Sequence, residues 1–365
     1  MKIVPLTKDK YQDWNEFCLK SDDAWFWHTT DYLEFSIACH HENNVRSLSF
    51  MVYDDVGIMA ICPLLLEEVN CNDHEINIFS NSIMGGYEVH PALKTDISDE
   101  RKEKVRKLIF SFVDDFACKN NVKSAAFSFV PLANYPQSLK QLSFNYLMKY
   151  GYFNHSLNTQ ILDLTSSYET LNRDVRKGHK YDIKRGEKAY VVDIFDKNNI
   201  TKDIFNFYRL LHHKASGRIT RPLVTFDMMY KWILDGNGVL CGLKYNNIYI
   251  GFSLIITYKN AAYYGSASDD PDAKVDVPIS HIIQWETVKW LKNNGFVCYE
   301  IGLQQYSSQL YDNPNQKDID ISLFKRGFGG KTITVHRGIK YYDKQFMHEK
   351  ILSNLNSLVL QQRGE

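Results

Sequence analysis

Much of what this 365-residue chain could do is excluded by what it lacks. It has no net charge, since 43 Lys and Arg offset 43 Asp and Glu; whole-chain electrostatics favour neither DNA nor an anionic membrane, and any polyanion site must be local. Its cysteines (Cys18, Cys39, Cys62, Cys71, Cys118, Cys241 and Cys298) are scattered, without a CxxC pair or a His/Cys cluster. That excludes the common structural zinc spacings and points to a reducing compartment. No apolar run approaches bilayer length; IMAICPLLL (58–66) is among the longest. The opening residues, MKIVPLTKDKYQDW, are too charged for a secretion signal. The expectation is a cytoplasmic protein with no metal, no DNA partner and no membrane span.

Aromatic residues, by contrast, are abundant: 23 Tyr and 21 Phe are enough to line ring-stacking clefts as well as cores. The length allows two domains, and the chain reads as one layout used twice. In the first half, VRSLSFMVYDD (45–55) and GIMAICPLLLEE (57–68) form a hairpin, and EINIFSNS (75–82) adds an arm ending at Gly85-Gly86. A helix over 100–121 then presents Val105, Leu108, Ile109, Phe112 and Phe116 on one face, and the strand KSAAFSFV (123–130) follows. In the second half, GVLCGLKYNN (238–247), IYIGFSLIIT (248–257) and AAYYGSAS (261–268) are strands, followed by a helix over 280–295 and the strand FVCYEIG (296–302). An antiparallel meander, then a helix, then a strand is an α+β order, unlike a doubly wound sheet. We expect two tandem units, each a mixed and mostly antiparallel sheet flanked by helices, over 1–155 and 156–345, with a C-terminal helix over 346–365.

This order resembles the GNAT acyltransferase core. The segments HIIQWETVKWLKNNG, YEIG and FKRGFGG (324–330) resemble its Fem-type branch, which joins tandem-GNAT peptidyltransferases to acyl-CoA-dependent N-acyltransferases. WFWHTTDYLEF (25–35), Gly85-Gly86-Tyr87, LNRDVRKGHKYDIKRGEK (171–188) and HHKASGRITRP (212–222) extend the resemblance over about 25–343. It implies an acceptor-side first domain and an acyl-donor-binding second domain. One segment departs from the pattern. Where GNAT enzymes carry a glycine-rich loop around a pyrophosphate, this chain has SDDPDAKVDVPIS (268–280), with four aspartates and no glycine.

Acyl transfer from a thioester to an amine needs a base for the amine, donors for the developing oxyanion and an acid for the leaving thiolate. On the 296–302 strand, alternation puts Glu300 on one face with Gly302, and Glu300 is the candidate base. The backbone at Tyr264–Ser266 is the candidate oxyanion site, and Tyr264 or Tyr263 the thiolate's acid. By resemblance, Lys325 lies near the donor phosphate and the reacting centre, and glycines 327, 329 and 330 let the backbone approach a ligand. Ser266, Val277, Ser280, His281, Lys325 and Arg326 are the expected acyl-CoA contacts. Pro278 is expected at the first helical position, with Asp276 or Val277 as cap. The resemblance places His28, Tyr32, Tyr87, Arg218, Gln304 and Tyr306 at the acceptor. Arg173, Lys177, Lys180, Lys184 and Lys188 form one basic helical stripe, and His212-His213 read as surface histidines.

Three functions are compatible with this reading. The favoured one is an N-acyltransferase moving an acyl group from acyl-CoA to a nucleotide-linked amino sugar in surface-polysaccharide synthesis. The others are an aminoacyl-tRNA-dependent peptidyltransferase acting on a peptidoglycan precursor, and a non-catalytic tandem-GNAT binding module.

Overall fold

The computed structural model describes residues 1–40, 43–71, 74–79, 89–137 and 144–363. They group into two compact units. One comprises Met1–Asn158, Gln305–Ser322 and Thr334–Glu365; the other comprises Thr159–Gln304 and Leu323–Ile333. This differs from a linear division at 155/156, because residues 305–322 and the chain from 334 onward belong with the first unit. Strand pairing explains the difference. Arg337–Tyr341 pairs antiparallel with Val122–Ser128, Gly338 opposite Phe127, and covers backbone that would otherwise be an open sheet edge. The helix Lys344–Arg363 follows that strand.

The first unit holds a four-stranded and a six-stranded sheet. In the larger one, His74–Phe79 lies parallel to Val122–Ser128, and the helix Asp99–Lys119 makes the crossover between them. Ser98 caps that helix, its hydroxyl accepting from the Arg101 amide at 3.3 Å. The fully buried stripe is Val105, Ile109, Phe110, Val113 and Ala117. Leu108, Phe112 and Phe116, expected on the same face, are partly buried at its margin.

The second unit repeats this logic in one seven-stranded sheet. Val191–Phe195, Gly238–Tyr245, Ile248–Tyr258 and Ala261–Asp269 run antiparallel. Asn246 and Asn247 both take positive φ at the tight turn between the middle pair, a conformation that asparagine tolerates better than most residues. Helix Ile279–Asn293 then returns the chain so that Cys298–Gln304 lies parallel to Ala261–Asp269. Leu157–Asp163 and Lys331–Val335 extend the sheet beyond it. Both units are therefore α+β, with mixed sheets flanked by helices.

Bare backbone sets the close approaches here. A Cβ on Gly251 would lie 2.5 Å from Ile279, and one on Gly186 would lie 2.7 Å from Ile282, so the helices Lys177–Ala189 and Ile279–Asn293 nest against glycine. In FKRGFGG, Gly327 faces the His179 ring, Gly329 the Asp174 backbone and Gly330 the carbonyl of Ile161. These glycines make room for protein rather than for a ligand, contrary to the expectation from sequence.

Gly330 and Gly217 both have positive φ (+78° and +67°), but only Gly330 is crowded, with Ile161 O 2.3 Å from a would-be Cβ. Gly330→Ala should therefore cost strain plus overpacking, about 2–4 kcal/mol, and Gly217→Ala only about 1 kcal/mol. Denaturant unfolding of both variants checks this; equal losses would contradict it.

Candidate active site

The site begins where a ladder stops. Strands Ala261–Asp269 and Cys298–Gln304 pair in parallel over only three positions, ending at Tyr263 opposite Glu300. On its other side, Ala261–Asp269 stays paired to Ile248–Tyr258, but the register jumps: Leu254 faces Ser266, Ile255 faces Tyr264, and Gly265 is the extra residue. Such a bulge sharpens the local twist. Past Tyr263, no strand among the described residues pairs with the side of Ala261–Asp269 that faces Cys298–Gln304. The result is a fork with backbone polar groups along one prong.

Glu300 sits at the base of the fork and is fully buried. Its Oε1 accepts from the Thr159 hydroxyl at 2.7 Å. Two residues along, Gly302 has φ +108°, and a Cβ there would lie 3.0 Å from Lys325 Nζ and 3.8 Å from the Tyr263 hydroxyl. The lysine tip thus lies against bare backbone on the face that also carries Glu300. Burial pulls the Lys325 ammonium below its ordinary value, while the charge on Glu300 acts against that shift. The structure therefore brings together Glu300, Lys325 and Tyr263. Thr159 completes the group from a distant strand, and no local motif marks it.

Tyr264 lies on the open prong. Burial first, and then the charge of Asp269, push its phenol well above the ordinary range, whereas contacts with Ser253 and Gln284 act the other way. A phenol held protonated is suited to donate. Ser266 Oγ lies 3.5 Å from His212 Nδ1. His212 is half-buried, not a surface residue; its Nε2 is 3.1 Å from the Thr220 hydroxyl and accepts from Arg221 Nη2 at 3.2 Å. Because the guanidinium can only donate, the Nε2 lone pair is already taken, and His212 braces Arg221 rather than serving as a base. Burial, followed by the Arg221 charge, lowers its pKa to about 4.

The N-terminus of helix Ile279–Asn293 lies at the open end of this strand. Pro278 is its N-cap, with no side-chain cap bond, which corrects the expected start by one residue and leaves the first amides without a competing side chain. Ser280 donates to Asp269 Oδ2 at 2.6 Å, and burial raises the pKa of Asp269. Two of the other loop acids are held by a lysine, and the third contributes its backbone to an arginine. Asp270 and Asp272 both pair with Lys214, at 2.6 and 2.9 Å, and the Asp276 carbonyl accepts from Arg185. Val277 uses its carbonyl to hold the Tyr190 hydroxyl. A shallow cavity of about 440 Å³, lined by Asp269, Asp276, Val277, Ser280, His281 and Phe324 among others, opens here. The uncapped amides favour an anion here, whereas Asp269 and Asp276 on the same cavity oppose one.

His281 packs edge-on against His179 at 4.4 Å and Phe324 at 5.0 Å. His179 Nε2 is 2.9 Å from the Phe324 carbonyl. His281 serves this cluster as much as the helix end. Arg326 donates to Gln304 at 2.9 Å, and Gln304 is itself buried.

The expected acceptor residues differ in their surroundings. His28 and Tyr32 are each 1% exposed, within the first unit's aromatic core. His28 Nδ1 accepts from the Trp25 amide and its Nε2 reaches the His90 carbonyl, while Tyr32 packs on Trp27 at 4.6 Å. Neither ring offers surface to a ligand here, which corrects their assignment as cleft residues. Tyr87 lies outside the described residues. Arg218 and Tyr306 are exposed. The basic stripe is broken, since one helix ends at Asp174 and the next starts at Lys177; Lys177, Lys184 and Lys188 point to solvent. Among the described residues, no cluster of His, Cys, Asp or Glu is placed to hold a metal ion, and no helix is long and apolar enough to cross a membrane.

No protein-family model and no curated protein matches the sequence. Solved structures do match the fold. FemX is similar with a TM-score of 0.62 at 14% identity, over 96% of this chain and 99% of that one. L-PGS from Bacillus licheniformis is similar with a TM-score of 0.57 at 13% identity, over 96% of each chain. At such identities the likeness speaks for the fold alone, which is the one FemX and L-PGS share.

The histidine cluster carries a pH signature. Burial, and then His179, lower His281 from 6.5 to about 4. Between those values the unfolded chain takes up a proton that the folded chain refuses, so stability falls as pH drops through that window. His281→Phe keeps a ring and removes the proton; its melting temperature should fall less than that of the parent between pH 6.5 and 4. Parallel profiles would contradict this.

Proposed function

We propose that the chain is an N-acyltransferase that moves an acyl group from acyl-CoA to the amine of a nucleotide-linked amino sugar, as surface-polysaccharide synthesis requires. The observation that carries this reading is the fork: a three-position parallel ladder, a bulge at Gly265, a buried carboxylate and lysine at its base, and an uncapped helix N-terminus at its open end.

In this reading the donor's phosphates meet the amides at Ile279–His281, and its thioester lies along the open prong. Backbone amides around Gly265 stabilise the oxyanion as the amine nitrogen attacks the carbonyl carbon. Glu300, with Lys325 beside it, takes the proton that the amine sheds; the C–S bond breaks, and the Tyr264 phenol protonates the thiolate. Arg326 and Gln304 brace the end of the second prong, and Arg218, free in solvent, is available to an acceptor diphosphate. A second reading, with an aminoacyl-tRNA donor, draws support from the solvent-facing lysines 177, 184 and 188.

The test is thiol release and product mass with a panel of acyl-CoAs and nucleotide-linked amino sugars. Glu300→Gln and Lys325→Met should each lower kcat about 100-fold or more, and Tyr264→Phe about tenfold, in line with acid–base roles. Rates within twofold of the parent would reject these assignments, and no turnover with any amino sugar would reject the acceptor. Activity that requires charged tRNA and collapses with salt would favour the second reading.

A further inference from the structure

The first unit contains a cavity of about 250 Å³ that the transfer chemistry does not use. It is just under the roughly 300 Å³ at which small-molecule sites commonly begin, which limits it to a small ligand. Three cations line it: Lys102 and Arg106, one turn apart on helix Asp99–Lys119, and Lys149. Phe129, Phe144 and Tyr146 supply aromatic walls.

Arg106 is the informative member. Its guanidinium lies 4.1 Å over the Tyr146 ring, and its Nε is buried without a hydrogen-bond partner. A buried donor left unmade is costly, and Arg106 is a lining residue of the cavity, where its guanidinium can meet an anion. Three acids, Asp22, Asp23 and Asp99, also line the cavity, and the last two are engaged elsewhere or turned outward. Asp23 accepts from the Leu93 amide at 3.2 Å, and Asp99 is solvent-exposed, 3.6 Å from Lys102.

His90 supplies a second, independent feature. It is 4% exposed, stacks on Phe129 at 4.8 Å and lies on the cavity wall. Its Nδ1 is 2.8 Å from the Pro91 carbonyl, which can only accept, so Nδ1 carries the hydrogen and Nε2 holds a bare lone pair. Among the described residues no hydrogen bond reaches that Nε2. Burial lowers the pKa of His90 to about 3, and the Arg106 charge adds to the shift, so the ring is a neutral acceptor at physiological pH. A guanidinium with an unpaired Nε, a neutral imidazole and flanking rings together describe one ligand chemistry.

We infer that this cavity binds a small planar anion, a ring bearing a carboxylate or phosphate, with the anion on Arg106 and Lys102 and the ring against Phe129 and Phe144. A hydroxyl or N–H elsewhere on the ring donates to His90 Nε2. The inference stands apart from the transferase reading, since none of these residues belongs to the fork.

Calorimetric titration of the full chain with 4-hydroxybenzoate and with phenyl phosphate tests it; inorganic phosphate and acetate serve as ring-free controls. At least one ring anion should bind with a Kd of about 1 mM or tighter, and the tighter of the two identifies the anion. The ring-free anions should bind at least about tenfold more weakly, and Arg106→Met should weaken ring-anion binding about tenfold or more. Phe144→Ala, at an exposed ring that the fold does not need, should weaken the ring anions several-fold and leave inorganic phosphate unchanged. The inference fails if neither ring anion binds below about 10 mM, or if binding survives both Arg106→Met and Phe144→Ala at parental strength.

Discussion

The second unit is organised around an interrupted backbone ladder. Hydrogen-bonding groups inside a protein must find partners, and a continuous parallel pair along Ala261–Asp269 and Cys298–Gln304 would satisfy them all. The chain instead stops pairing at Tyr263 and Glu300 and inserts Gly265 opposite Ile248–Tyr258. Everything else at the site depends on that interruption. It opens the space between the prongs, leaves amides along one of them, and sets a buried carboxylate where the two diverge. Glycine at the bulge fits the crowding, because a Cβ there would lie 3.2 Å from the Leu254 carbonyl.

The surrounding scaffold holds the fork open from both ends. At its base, Thr159 and Lys325 come from segments far from Glu300 in sequence, and Gln160 ties the same strand to Gly329 and Thr332. At its open end, helix Ile279–Asn293 sits close to the sheet only because Gly251 has no side chain. Two of the four aspartates of the acidic loop are paired with Lys214, and Asp269 and Asp276 remain at the helix terminus. Rigid support of this kind places reacting groups without reorganisation at the moment of transfer.

The fold was largely legible in the sequence because periodicity and turn chemistry are local. The second unit's meander, the two crossover helices and the strands that follow them stand within a few residues of where patterning puts them. In the first unit, each arm of the hairpin expected over 45–55 and 57–68 is instead two strands divided between the four-stranded and the six-stranded sheet. Three further features were not legible, and each depends on distant contacts. The return of Arg337–Tyr341 to the first unit is a pairing choice, with no local signal for which sheet it joins. The glycines of FKRGFGG read as ligand-approach residues, yet what fills their space comes from Ile161, Asp174 and His179. Strand alternation and resemblance singled out Glu300 and Lys325, which lie together with Tyr263, whereas Thr159 and Arg221 carry no local signal because only tertiary structure brings them to the site. His28 and Tyr32 show the converse: a motif can match while its side chains serve the core.

The most direct test of this account is a crystal structure with a non-hydrolysable acyl-CoA analogue. The account predicts the acyl carbonyl within hydrogen-bond distance of a backbone amide around Gly265, the pantetheine arm between the two prongs and the pyrophosphate on the amides of Ile279–His281. An analogue bound away from the fork, or a fork closed by continuous pairing of the two strands, would contradict it.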